Sequence, residues 1–367
     1  MKRILYLSTF KFGDIGAFSG TNRRIFDALK ELKEYQIEYY QARPNPLIRF
    51  FIRLIGWLSR KLLHKDFQTG LEERYYPSIC RRTMRYLKRH DFDAILCWQV
   101  AFGFVFAKFS GIKVFLSDAS YHQEVDYLRW KVTKRQFKLN NECQKLLFCH
   151  ATHILMSNHF FDQDIRDYYV SKTPLTHFRF FPSFTDCERQ ALETRFAFCL
   201  VIVCTNYYDK GVPIAIQVVN ILRKRGYDVG LYIAGVDNVE NVEDNSVIFL
   251  GRVNYQNDLP KLYRSANLLI LPTLFDCSPL VIPEALSFGV PAVAYATGGV
   301  PDYIVDGVTG RLVCEGSGPD AFADIIGALI DDKPLYLELR KNAKEWQEKY
   351  ASKKAFLDIF RNTVFRR

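Results

Sequence analysis

Two runs of alternating strand and helix patterns, joined by one extended segment, predict an α/β protein with two Rossmann-like lobes facing a central cleft. The length agrees, since 367 residues exceed what one core usually holds and suit two domains of roughly 150–190 residues. With 49% hydrophobic and 15% aromatic residues, the composition is that of a globular chain rather than a disordered one. Phe178 to Phe184 is extended, contains Pro182 and reads as the crossover. The expected lobes are residues 1–182 and 183–349, with a terminal helix at about 350–367 packing back on the first.

In the first lobe, Ile4 to Ser8 is a short apolar run of the kind that forms a buried parallel strand. A loop from Phe12 to Gly20, carrying Gly13, Gly16 and Gly20, leads into a helix from Thr21 to Leu32. A strand, a glycine-bearing loop and a helix N-terminus present backbone N–H groups to a phosphate or a sugar, which makes Gly20 and Thr21 candidate ligand contacts. The loop is not GxGxxG, so the dinucleotide fingerprint is absent. Ile37 to Tyr40 is the second strand.

Leu47 to Lys65 follows, with Arg49, Arg53, Arg60 and His64 at helical spacing among Phe50, Phe51, Leu54, Trp57 and Leu58. No acid occurs between Arg43 and Lys65. This is a basic amphipathic helix of the type that lies in an anionic membrane interface, through Arg49, Arg53, Trp57, Arg60 and Lys61. The competing reading is a domain helix whose apolar side packs on the sheet and whose arginines face water. A second basic helix spans Arg81 to Arg89.

Ala94 to Trp98 and Val114 to Leu116 are strands, and the latter ends in Ser117-Asp118-Ala119-Ser120-Tyr121-His122. Open α/β sheets place ligands at the C-terminal ends of their strands, so Asp118 and His122 are candidates for sugar contacts or proton handling. Asp118 reads equally as a helix cap and His122 as a surface residue. A long helix, Lys131 to Cys149, and a strand, His153 to Met156, complete the lobe, with Ser157 placed to cap the next helix.

The second lobe restarts the alternation. Its strands are Leu200 to Cys204, Val229 to Ala234 ending at Gly235, Val247 to Leu250 ahead of Gly251-Arg252-Val253, and Leu268 to Leu271. Its helices are Val212 to Arg225 and Leu259 to Ser265, and a loop from Thr205 to Gly211 carries Asn206 and Lys210. The tail from Pro334 is helical with a break near Ala351-Ser352.

The net charge of +10 serves solubility or an anionic partner; no nucleic-acid recognition motif accompanies it, so no nucleic acid is expected. Nine scattered cysteines without a CxxC pair suit reduced thiols of a cytosolic protein rather than a disulfide framework or a zinc site. The opening MKRILYLSTF lacks a long apolar region and a small-residue cleavage site, and reads as a strand rather than a leader.

Chemistry concentrates between Asn267 and Gly310. A buried strand closed by Pro272 and a loop, Thr273 to Ser278, lead into a helix from Pro279 to Phe288, stopped by Gly289. The helix start, framed by Ser278, Pro279, Leu280 and Val281, offers free N–H groups and a dipole suited to a diphosphate. Asp276 lies just ahead and Glu284 about two turns on. Acids beside phosphates are unfavourable unless they bind hydroxyls or a cation; the pair can accept hydrogen bonds from sugar hydroxyls, with Lys210 as countercharge. The plainer reading makes Asp276 a helix cap and Glu284 a solvated helix residue.

The run DCSPLVIPEALSFGVPAVA, Asp276 to Ala294, resembles the E-x7-E signature of retaining glycosyltransferases of family 4, which have the GT-B fold. Lys210-Gly211, Ile233-Ala234-Gly235, Leu250-Gly251-Arg252-Val253, Leu262-Tyr263, Gly298-Gly299 and Asp306 to Gly310 fall in the matching order. The resemblance covers the second lobe; the first matches only in layout. It implies that Glu284 binds the ribose of a nucleotide sugar and Asp276 the hydroxyls of the transferred sugar. Backbone near Leu280 and Val281, with Lys210, would hold the diphosphate, Gly251 to Val253 would line the base, and the Gly20 loop would approach the phosphates. It also implies retention, no metal and no cofactor, with cationic groups stabilising the leaving diphosphate. Two departures stand out: Asp276 replaces the usual Glu, and Thr205, Asn206 and Tyr207 stand where an arginine is common. A histidine often follows the first-lobe strand; Asp118 stands at about that place and His122 one turn on.

The expected function is transfer of a hexose from a UDP- or GDP-sugar to a hydroxyl of a lipid-linked or cell-envelope glycan, such as a polysaccharide or lipopolysaccharide. The expected place is the cytoplasm, peripheral on the inner face of the membrane. Two other readings compete: a sugar-nucleotide epimerase of the same architecture, and a catalytically silent relative serving as a binding or assembly subunit.

Overall fold

The computed structural model describes residues 1–12, 20–63, 72–127, 132–184, 191–239 and 242–365, with the backbone alone for 52, 53, 55, 56, 59, 60, 62, 63 and 72–74. Gly13, Gly16, His64, Lys65, Lys131 and Cys187 lie outside the described residues, as do the side chains of Arg53 and Arg60. The chain forms two compact units, one of Met1–Phe178 with Leu357–Arg367, the other Arg179–Phe356.

The first unit holds β1 (Lys2–Ser8), α1 (Thr21–Leu29), β2 (Tyr35–Gln41), α2 (Pro46–Leu63), α3 (Glu72–Leu87), β3 (Ala94–Cys97), α4 (Gly103–Phe106), β4 (Ile112–Ser117), α5 (Tyr121–Tyr127), α6 (Lys134–His150), β5 (His153–Met156), α7 (Asp162–Asp167) and β6 (Leu175–His177). Among the described residues its strands make one parallel sheet in the order β2-β1-β3-β4-β5-β6. Parallel strands are covered by helices on both faces, so they read as unbroken apolar runs. Ile4 to Leu7, Ala94 to Cys97 and Ile154 to Met156 are fully buried accordingly. β6 has no such run: its three residues are all half-buried, which hides it in the sequence. Ser157 does not cap α7, which starts at Asp162 with Phe161 as its N-cap; Ser157 is buried, and its N–H donates to the Ser117 carbonyl at 3.1 Å.

The second unit holds β7 (Phe198–Val203), α8 (Val212–Lys224), β8 (Val229–Ala234), β9 (Val247–Gly251), α9 (Leu259–Ser265), β10 (Leu268–Leu271), α10 (Val281–Leu286), β11 (Ala292–Tyr295), β12 (Gly310–Val313), α11 (Pro319–Asp331) and α12 (Lys333–Tyr350). Its sheet runs β12-β11-β10-β7-β8-β9, all parallel among the described residues. The central strands β7, β8 and β10 share a core with Val212, Val219 and Leu222 of α8 and Phe322 and Ile326 of α11. The helix expected over 279–288 is shorter, Val281–Leu286.

The tail breaks at Ala351-Ser352 as expected, and α13 (Lys353–Val364) follows. Its end belongs with the first unit: Phe360 is fully buried 6.2 Å from the Tyr35 ring, and Arg361 Nε meets Glu34 Oε1 at 2.6 Å. The apolar contact outweighs the exposed ion pair. We expect Phe360→Ala to lower stability by about 3–5 kcal/mol and Arg361→Ala by about 1 kcal/mol or less, measured by chemical denaturation.

Candidate functional site

In the second unit the chain moves from β7 outward through β8 to β9, then returns to the other side of β7 with β10. The loops leaving β7 and β10 therefore diverge, and such a switch point opens a crevice at the C-terminal ends of the strands. Asn206 shapes the first loop, its Oδ1 accepting from the N–H groups of Tyr208 at 3.1 Å and Asp209 at 3.0 Å. The two loops are fastened together, because the Asp209 carbonyl accepts from the Leu274 N–H at 2.9 Å and the Thr273 hydroxyl at 3.2 Å. Gly211, at φ +72°, leaves no alternative residue: a Cβ there would lie 2.0 Å from the Pro272 carbonyl oxygen.

This fastening delivers Lys210 Nζ to Asp276 Oδ2 at 2.6 Å, with the side chains 25% and 19% exposed. Asp276 Oδ1 accepts from the Ser278 N–H at 3.0 Å. The Asp276 carbonyl is held from behind by the Gly299 N–H at 2.9 Å, and a Cβ on Gly298, φ +53°, would approach it to 2.5 Å. The Gly298-Gly299 pair thus exists to let two loops touch. Cys204, in the same loop as Lys210, is no nucleophile: burial pushes its thiol up to about 11, against the lowering effect of Lys210.

Three expectations need correction here. Of the N–H groups expected free at 278–281, that of Ser278 is taken by Asp276 Oδ1 at 3.0 Å, and Pro279 has none. Asp276 does not cap α10, whose N-cap, Leu280, has no side-chain cap bond. Nor is Glu284 a solvated helix residue; it is 2% exposed. Its Oε1 accepts from the Tyr255 hydroxyl at 2.5 Å and its Oε2 from the Tyr263 hydroxyl at 3.2 Å. Burial first, and the Glu284 charge second, hold the Tyr263 phenol well above its usual range, so it stays a donor. Tyr255 escaped the sequence reading because nothing in a loop tyrosine announces a partner 29 residues on. Nearby in the fold, the Gly235 N–H bonds the Gly251 carbonyl at 2.7 Å, joining the ends of β8 and β9 beside exposed Arg252 and half-buried Val253.

In the first unit the switch point lies between β1 and β3, whose loops are tied by the Gln99 side chain accepting from the Thr9 N–H at 2.9 Å. Gly20 takes a left-handed conformation, φ 77°, as the N-cap of α1, and Thr21 is buried. At the end of β4, His122 is fixed on three sides. Its Nδ1 lies 2.7 Å from Oδ1 of buried Asp164, its ring stacks on Tyr168 at 3.6 Å, and its N–H donates to the Tyr169 hydroxyl at 3.1 Å. The surface reading of His122 fails on that geometry. Asp118 is half-buried, its carbonyl accepting from Asn158 Nδ2 at 2.7 Å. Glu124, one turn into α5, was missed by the sequence reading. Burial, aided by the Asp118 charge, pushes its carboxyl up to about 8, so it is a proton donor near neutrality.

On α2, Leu47, Phe50, Phe51, Leu54, Trp57 and Leu58 expose between 38% and 68% of their surface. At a helical 100° per residue they fall within an arc of about 120°. Lys61 Nζ lies 4.9 Å from the Trp57 ring centre on the same stripe. These side chains do not pack on the sheet. No helix among the described residues is long and apolar enough to cross a membrane.

Comparison with known proteins adds to this picture. Residues 198–332 match the family model Glycosyl transferases group 1. D-inositol 3-phosphate glycosyltransferase of Corynebacterium glutamicum is 34% identical over 89 residues, 24% of this chain and 21% of that protein. The chain spans between 20% and 43% of the length of the first curated relatives it matches. Among solved structures, Anabaena HepE in complex with UDP superposes with a TM-score of 0.67 at 15% identity, covering 99% of both chains. WaaG, a glycosyltransferase involved in lipopolysaccharide biosynthesis, gives 0.63 at 16% identity, covering 97% of this chain and 99% of that one. The chain has the GT-B fold.

Glu124 generates a pH-dependent expectation. A carboxyl whose folded pKa is raised from 4.5 to about 8 binds its proton more tightly in the fold, so stability falls as pH rises through that window. Glu124→Gln removes this slope. We expect the variant to gain stability relative to the wild type as pH rises from about 4.5 to about 8, levelling above, in denaturation curves taken across that range.

Proposed function

We propose that this protein transfers a sugar from a nucleotide diphosphate sugar to a hydroxyl of a lipid-linked or cell-envelope glycan, with retention at the anomeric carbon and without a metal in the reaction. The observation that carries the reading is the buried Glu284 carboxylate together with the Lys210–Asp276 pair, on the segments that follow the switch-point strands of the second unit. Glu284, aimed by Tyr255 and Tyr263, takes the ribose hydroxyls. Lys210 turns from Asp276 to the diphosphate and stabilises the leaving charge, which frees Asp276 to accept from hydroxyls of the transferred sugar. Leu280, Val281 and Gly251 to Val253 frame the phosphates and the base. The family match over 198–332 supports the donor side, and HepE, solved with UDP, supports a uridine nucleotide.

We assign acceptor binding to the first unit, with His122 rather than Asp118 as its positioned polar group, because Asp164 holds that ring at 2.7 Å. Burial of the α2 stripe in an anionic bilayer surface places the enzyme where lipid-linked acceptors lie, and the net charge of +10 favours that encounter. A cytoplasmic enzyme on the inner membrane face fits this reading. The alternative of a silent binding subunit predicts nucleotide affinity without turnover on any acceptor.

A panel of UDP- and GDP-sugars, scored for transfer or donor hydrolysis, tests the assignment. Glu284→Ala and Lys210→Ala should each lower kcat/KM at least a hundredfold, and Tyr255→Phe about tenfold, the loss of one hydrogen bond to a charged group. Turnover unchanged in the first two refutes the site. In flotation with anionic liposomes, a variant carrying Phe50→Glu, Trp57→Glu and Lys61→Glu should stay in the soluble fraction while keeping wild-type hydrolysis of the donor. Wild-type flotation of that variant would make α2 an ordinary surface helix.

A further inference from the structure

We propose that His159, Asp162 and His177 form a site for one divalent transition-metal ion, with zinc the best fit. None of the three belongs to the transfer site, and the sequence reading expected no metal. The cluster arises from two neighbouring elements of the first unit. β5 and β6 pair in parallel with Met156 opposite His177, the last residue of β6. The chain leaving β5 folds into a turn closed by the Asp162 N–H on the His159 carbonyl at 3.0 Å, which brings both side chains back over the strand end. The His159 ring stacks on that of His177 at 3.7 Å and 20°, and Asp162 Oδ1 lies 2.9 Å from His177 Nε2. One ligand atom from each residue lies within 4.8 Å of the other two.

An ion pair needs only Asp162 and His177. The second imidazole, laid parallel on the first, adds nothing to that pair and opposes it when both rings are protonated. A shared cation gives all three groups a common partner. Two imidazole nitrogens and one carboxylate oxygen select zinc, cobalt, nickel or copper over magnesium and calcium, which prefer all-oxygen sites. Bonds of about 2.0–2.1 Å set tetrahedral ligand atoms about 3.4 Å apart, and because imidazole lone pairs lie in the ring plane, coordination turns the exposed His159 ring out of the stack to aim it at the ion. Three protein ligands leave the fourth position to water. The ion would fasten the turn at 159–162 to the end of β6, one residue before Phe178 closes the first unit. Its role is therefore to fix where the chain leaves that unit.

The test uses the tag-free full chain, stripped by chelator and titrated with Co2+. We expect one equivalent to bind with the visible absorption of a low-coordinate site, zinc to displace it, and zinc but not magnesium to raise the Tm. His159→Asn, an exposed change that leaves the fold intact, and His177→Ala should each weaken Co2+ at least tenfold, while His90→Asn should not. Absence of stoichiometric Co2+ binding by the folded wild type, or binding unchanged in both site variants, overturns the proposal. Neither outcome depends on sugar transfer.

Discussion

The Lys210–Asp276 contact is the constraint on which the second unit's chemistry turns. Lys210 and Asp276 meet at 2.6 Å with their side chains 25% and 19% exposed. The scaffold forces the encounter. The Asp209 carbonyl clamps the two switch-point loops, Gly211 lets one loop touch Pro272, and Gly298 lets another touch Asp276. Apart, each charge would be hydrated and unplaced. Together they are placed, and in the proposed reaction a diphosphate sugar would offer the lysine a stronger partner and the carboxylate a set of hydroxyls.

Glu284 differs from Asp276 in being buried and held by two hydroxyls. A carboxylate 2% exposed is unfavourable unless it is well paired, and two phenol donors pair it. Tyr263 also anchors the aromatic cluster with Phe184 and Phe288, so the packing that builds the unit also aims the carboxylate. One acid pairs with a lysine at a partly exposed position and the other is buried against two phenols, although the sequence presents them as a matched pair eight residues apart.

Much of the fold was legible because buried parallel strands leave continuous apolar runs. The spans His153 to Met156, Val229 to Ala234 and Leu268 to Leu271 emerge with the expected bounds. β6 was not legible, since Leu175–His177 is half-buried and short, and α10 proved shorter than its apolar pattern because the residues before Val281 are spent on turns. For the candidate site, type and spacing pointed to Asp276, Glu284 and Lys210. What local patterns do not encode is how distant segments meet: Tyr255 on Glu284, Asp164 on His122, Asp118 on Glu124, and the return of His159 onto His177. The stripe on α2 stands between these cases. Its periodicity was plain, but only exposure of Phe50, Phe51 and Trp57 separates an uncovered apolar stripe from a sheet-packed one.

The central claim is that Glu284 reads the ribose of a nucleoside diphosphate. Calorimetric titration with the nucleoside diphosphate that the wild type binds, and with its 2′,3′-dideoxy analogue, tests it most directly. The account predicts a loss of about ten- to a hundredfold in affinity for the analogue in the wild type, and little difference between the two ligands in Glu284→Ala. Equal binding of both ligands by the wild type would contradict it.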